Sequence, residues 1–367
     1  MSEGGGGRGA VSEGGARERV WAVVAAGRRL ADPRDPLGRE LRERGPGAFG
    51  LSAEGVGWAL ERHLETRPTP GQIDALVASV PPSGRTFVVL SANVFTAALR
   101  AVALAAAASP RVVVRPSRRE PLFAALLLRA LAEGGAPFEI SVGDPRGARA
   151  GEQVHAYGRD ETMAAIRAAL APGVLFWPHG AGVGVAAAGA GEGRAAAWRV
   201  ALDVVAFDQR GCLSPRVVLV EGDEAAGLGF AGELARALGE LAARVPPGAD
   251  AAEERASRRA YADAMAVAGE VYEGRGYLVG FDPAPRALAW PAGPRAVHVA
   301  RVGGGPEALG LVAPLARGVA ALGGRGPLAD VLGARLGRAR RSALGRMQRP
   351  PLDGPVDRRV LAPEPVR

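Results

Sequence analysis

The residue type best suited to covalent chemistry occurs once, within FDQRGCLSPRVVLVEG, Phe207 to Gly222. Cys212 follows a glycine on a segment joining a helical run to a β-rich one. An isolated cysteine is most often a small buried hydrophobe, but Asp208, Gln209, Arg210 and Ser214 surround this one with polar groups. A thiolate attacks carbonyl carbon, and a cation such as Arg210 or Arg216 would favour that ionised form. One cysteine excludes an internal disulfide and a Cys-rich zinc site. The four histidines, His63, His155, His179 and His298, show no metal-ligand spacing. The sequence therefore points to a nucleophilic thiol working without a metal.

A nucleophile needs a frame. Residues 1–16 are Gly-rich and read as disordered. Residues 17–84 form a helical region: VWAVVAAGRRLAD, then SAEGVGWALERHLET behind Ser52 as N-cap, then TPGQIDALVASV with Pro70 in its first turn. The Pro81-Pro82-Ser83-Gly84 cluster marks a break. Strands at 86–91, 111–117, 138–144, 153–158 and 173–180 then alternate with helical segments, which predicts a doubly wound parallel sheet over 85–206. A second α/β region carrying the cysteine spans 207–335, and 336–367 is a C-terminal segment rich in Arg, Pro and Gly, with the weakest pattern.

The chain of 367 residues carries a formal charge of +8, and all 46 basic residues are arginine. These arginines are spread along the chain without an interleaved aromatic platform, so nucleic acid is not the expected partner. A pocket for phosphate-bearing ligands uses such charge more economically. The longest apolar stretch, Thr86 to Ser109, is interrupted by Asn93 and Arg100 and reads as a strand and helix, not as an integral membrane segment. No signal-peptide core precedes it, and the expected location is the cytoplasm.

Several segments, in order, resemble one family. SANVF (91–95) is similar to a strand-end Asn segment, and VVVRPSRREPLFAALLLRAL (112–131) to a strand, Lys-Pro-Ser turn and cofactor-side helix. HAYGRDETMAAI (155–166) and FWPHGAGVGVA (176–186) resemble two glycine loops, and GRMQRPPLDG (345–354) a motif near the C-terminus. With the cysteine loop, these resemble the LuxC-type fatty-acyl-CoA reductases of the aldehyde dehydrogenase superfamily. The implied fold is aldehyde-dehydrogenase-like: a doubly wound parallel cofactor domain, a second α/β catalytic domain and a helical N-terminal region.

The resemblance also implies roles. Cys212 would attack a fatty acyl thioester, with Asn93 and the Cys212 backbone N–H facing the developing oxyanion. NADPH would be held by Ser91, Arg115, Pro116, Ser117, Gly158, His179 and Gly180. Arg115 stands where the family has lysine, a bulkier planar cation. Gly182, Gly184 and Ala187 fit a G-x-G-x-x-A pattern, a weak signal alone; the resemblance places that loop beside nicotinamide and Cys212 instead. Hydrolytic relatives begin this loop with a water-activating glutamate, and here Pro178-His179 occupies the place. The implied partners are a fatty acyl-CoA or acyl-protein thioester, an acyl-transferring protein and further copies of the chain. The alternatives are a short-chain CoA-acylating aldehyde dehydrogenase and a catalytically impaired subunit.

Overall fold

The computed structural model describes residues 13–360 and 362–367. Helix α1 (Glu13–Ala31) buries Val20, Val23, Val24 and Leu30 at helical spacing. It begins inside the stretch expected to be disordered; residues 1–12 of that stretch lie outside the described residues. Helix α2 (Pro36–Phe49) is concealed in the sequence by Gly38, Gly45, Pro46 and Gly47. Asp35 caps it by accepting from the Leu37 N–H, and Gly50 closes it in the left-handed conformation. A Cβ at Gly38 would lie 2.0 Å from the Asp32 carbonyl oxygen, so close packing demands that glycine. Helices α3 (Ala53–Arg62) and α4 (Pro70–Ala78) start where the sequence predicts, behind Ser52 and a Thr69–Gln72 capping box.

The first sheet is built from β1 (Thr86–Val89), α5 (Ala97–Ala108), β2 (Arg111–Arg115), α6 (Leu122–Glu133), β3 (Glu139–Val142), β4 (Gln153–Tyr157), α7 (Asp160–Ala168) and β5 (Leu175–His179). The five strands are parallel, in spatial order β5-β4-β1-β2-β3. Alternate residues serve opposite faces: Val88 packs under α1, α5 and α6, whereas Phe87 and Val89 pack with Met163 and Ile166 of α7. Both faces are covered, as a parallel sheet requires.

The chain enters the second sheet between His179 and Val183, well before residue 207. Strand β6 (Val183–Ala188) already belongs there, followed by α8 (Gly193–Val205), β7 (Pro215–Glu221), α9 (Glu224–Arg244), α10 (Ala252–Ala268), β8 (Glu270–Gly274), β9 (Tyr277–Asp282), β10 (Ala296–Val302), α11 (Gly305–Val312), β11 (Val319–Gly323), α12 (Pro327–Arg335) and β12 (Arg340–Ser342). The order is β12-β11-β6-β7-β10-β9-β8, parallel except for β8. VGVAAA escapes sequence reading because glycine and alanine carry no strand preference. Gly182 and Gly184 do not open a helix, as a dinucleotide fingerprint would require. Gly184 instead lets β6 approach β7: a Cβ there would meet the Ser214 carbonyl oxygen at 2.5 Å.

After β12 the chain runs as an irregular strap and ends with β13 (Glu364–Pro365), which pairs antiparallel with β5 of the first sheet. Buried arginines hold the strap. Arg100 of α5 donates to the carbonyls of Pro350, Pro351 and Gly354. Arg340 reaches Asp353 and the Pro355 carbonyl. No helix among the described residues is long and apolar enough to cross a membrane.

Candidate active site

The turn before Cys212 adopts a costly conformation. Phe207, Asp208 and Gln209 have φ of 55°, 50° and 61°, three successive non-glycine residues in the left-handed region. Each such residue costs about 1–3 kcal/mol, so neighbouring contacts must hold the turn. The buried Asp208 carboxylate pairs with Arg295 Nε at 2.8 Å and accepts the Gly248 N–H at 2.8 Å. Gln209 Nε2 donates to the Pro215 and Ala296 carbonyls, both at 2.8 Å, and its Oε1 accepts the Ala296 N–H at 2.7 Å. The polar residues beside the cysteine are thus a clamp that fixes the loop against β7 and β10.

The clamp sets Gly211 between two segments. A Cβ at this position would lie 3.2 Å from Val94 Cγ2 and 2.8 Å from Gln348 Oε1. The structure therefore packs Val94, the residue after Asn93, against Gly211, the residue before Cys212. Gln348 is buried. Its carbonyl contacts His63 Nδ1 at 3.0 Å, while the preceding Met347 N–H donates to Asp203 at 2.9 Å. Desolvation raises the Asp203 carboxyl to about 7.

Burial pushes the half-buried Cys212 thiol up to about 11. Asp357 adds to the rise; Arg359 and the cysteine's own backbone N–H oppose it. The expected cations face elsewhere. Arg210 donates to the Phe49 carbonyl, and Arg216 to the carbonyls of Gln209 and Gly293. The guanidinium that favours the thiolate is instead Arg359, delivered by the strap. It is locked to Asp357 through Nε–Oδ1 and Nη2–Oδ2, both 2.8 Å, and also donates to the Gly180 carbonyl at 3.3 Å. That pairing keeps the Asp357 carboxyl below its ordinary range, although burial opposes the shift. Sequence reading missed Asp357, Arg359 and Gln348; the only signal for Gln348 was its place in GRMQRPPLDG.

The other expected positions gather at the carboxyl ends of the first sheet. Ser91 follows β1, Arg115 ends β2 ahead of Pro116 and Ser117, Gly158 follows β4, and His179 ends β5 ahead of Gly180. Ligands of open parallel sheets bind at such ends. Among the described residues, Arg115, Arg118, Arg119 and Arg159 make no side-chain hydrogen bond or ion pair, so this rim offers cations to an anionic dinucleotide. At Gly180 a Cβ would meet Asp160 Oδ1 at 2.5 Å. His179 differs in character from the rim. It is buried, stacked on Tyr157, and within 3.4 Å of His155 through Nε2; desolvation lowers its pKa to about 4, so it is neutral.

A family model described as acyl-CoA reductase (LuxC) matches residues 145–315. No curated protein matches the sequence significantly. Solved structures with the same fold include an oxidoreductase from Marinobacter aquaeolei, 12% identical over 97% of this chain and 86% of that one, with a TM-score of 0.68. A propionaldehyde dehydrogenase from Clostridium phytofermentans gives 10% identity, coverage of 92% and 84%, and a TM-score of 0.60. An NADP-dependent glyceraldehyde-3-phosphate dehydrogenase from Bacillus halodurans, solved with NADP, gives 16%, 90% and 79%, and 0.58. Residues 145–315 thus match the pattern of the LuxC acyl-CoA reductases, and the fold of the chain is similar to that of the solved aldehyde dehydrogenases.

Proposed function

We propose that the chain reduces a long-chain fatty acyl-CoA to the aldehyde with NADPH, through an acyl-enzyme on Cys212. The observation that supports this reading is the strained, clamped turn that sets Gly211, the residue before Cys212, against Val94, the residue after Asn93. Cys212 Sγ bonds to the thioester carbonyl carbon, the bond to the CoA sulfur breaks, and the cysteine proton leaves with CoA-SH. Arg115, Ser117 and their neighbours at the first-sheet rim would hold a nicotinamide cofactor, whose chemistry would be the donation of a hydride to the acyl group. The resulting thiohemiacetal oxyanion on Cys212 breaks its C–S bond to release aldehyde, and the thiolate left behind takes a proton from solvent to restore the thiol. Negative charge develops on the same oxygen in both phases, where the Asn93 amide and the Cys212 N–H face it.

Transfer is favoured over hydrolysis because the carboxylate bearing on Cys212, Asp357, is committed to Arg359 and is a poor base. With aldehyde and NADP but no CoA, little free acid should form; adding CoA should restore steady turnover and produce acyl-CoA. Rapid CoA-independent acid release, followed by titration of product acid, would overturn the reading.

Asn93 is expected to act on rate more than on affinity. Removing one preorganised oxyanion donor costs on the order of 100- to 1000-fold in turnover. Asn93→Ala should show that loss in single-turnover acylation, with substrate affinity and melting temperature little changed. Full rate per folded molecule would show that Asn93 only shapes the turn.

A further inference from the structure

A second concentration of positive charge lies away from the first-sheet rim. A cavity of about 670 Å³ opens between α3 and the strap, lined by Arg67, Arg325, Arg346 and Arg349 over a floor that includes Leu60 and Leu352. None of these four guanidinium groups makes a hydrogen bond or ion pair with another described residue. Of the other charged lining groups, Arg341 is paired with Asp330, Glu65 is taken by Arg100, and Glu61 alone opposes the cationic excess. Four unpaired guanidiniums around one concavity therefore call for an anion from outside, and forked N–H donors suit phosphate.

The cavity's place in the fold narrows the ligand. Along Arg346–Arg349 the strap faces two ways: Met347 and Gln348 are buried, with Gln348 against Gly211, whereas Arg346 and Arg349 are exposed in the cavity. The strap thus joins the cavity wall at Arg349 to the cysteine loop through Gln348, which meets Gly211, the residue before Cys212. A concavity of this size suits a nucleotide better than the broad surface of a partner protein, and its apolar floor suits a base and ribose. It shares no residue with the Arg115 rim.

We propose that this cavity holds the phosphate-bearing adenosine handle of a coenzyme A thioester, leaving the acyl end to reach Cys212. The inference rests on the reading of the chain as an acyl-CoA reductase, but binding of the handle can be measured apart from the reaction. The probe is adenosine 3′,5′-bisphosphate, titrated calorimetrically into the full chain and into Arg346→Glu/Arg349→Glu, with CoA and dephospho-CoA alongside. Charge-assisted hydrogen bonds to two such groups predict a loss of at least about tenfold in bisphosphate and CoA affinity, and dephospho-CoA should bind more weakly than CoA to the wild type. In turnover, the preference for acyl-CoA over the phosphate-poor acyl-pantetheine should fall by a similar factor.

Unchanged bisphosphate affinity in the variant would overturn the proposal. So would an equal loss of NADP binding, which would assign the cavity to the cofactor's phosphate, or binding of an acidic acyl-carrier protein in place of the bisphosphate. If the bisphosphate binds as expected while Cys212 is acylated by neither thioester, the cavity stands and the proposed reaction falls.

Discussion

Replacing Cys212 with alanine should abolish aldehyde formation and acyl labelling while NADPH still binds. The other groups at the site can polarise a carbonyl, but none can form the acyl bond, so the expected loss is of the whole covalent route. The wild-type thiol should also reveal its surroundings. With the sulfur pushed up to about 11, alkylation by iodoacetamide in the free enzyme should climb with pH through 8 and 9, without the early plateau of a preformed thiolate. An alanine variant that keeps more than a few per cent of turnover would dismiss the covalent mechanism; a plateau near neutrality would show that Arg359 outweighs burial.

Asp208→Ala should be the most destabilising single change at the site that leaves the nucleophile in place. It strands the buried guanidinium of Arg295 and removes the acceptor for the Gly248 N–H. Breaking a buried pair from one side typically costs about 3–5 kcal/mol, and here the left-handed turn also loses its restraint. Denaturant unfolding should show that loss, and the surviving folded fraction should acylate slowly because Gly211, the residue before Cys212, is no longer held against Val94. Asp208→Ala combined with Arg295→Met should recover much of the stability, since the charge without a partner is gone. It should not recover the acylation rate. If the double variant is as unstable as the single one, the ion pair is not what holds the turn.

The alternation of strands and helices is plain in the sequence because β-branched runs such as VVV at 112–114 and VVLV at 217–220 are buried on both faces. What escaped sequence reading has a common cause. β6 is mostly glycine and alanine, and α2 carries three glycines and two prolines, so only tertiary packing reveals them. The packing of the Val94 segment against Gly211 agrees with the segment order that suggested it. The electrostatic setting of Cys212 does not follow from that order: Arg210 and Arg216 are adjacent in sequence yet spent on backbone carbonyls, whereas Asp357 and Arg359 arrive on a strap with no regular periodicity. Charges near a nucleophile are decided by long-range chain crossings, which local pattern does not encode.

The pairing of β13 with β5 bears on how the chain folds. Every strand of the first sheet but one comes from residues 86–179, yet that one arrives only after the entire second sheet has been traversed. Contacts of such sequence separation form late, because loop closure must precede any gain from them. Until then β5 is a free sheet edge, with a row of unpaired backbone groups able to recruit a strand from another molecule. A fragment ending near residue 182 would retain this edge permanently and should aggregate, although it contains nearly all of the first sheet. The two sheets are therefore poor candidates for separate expression.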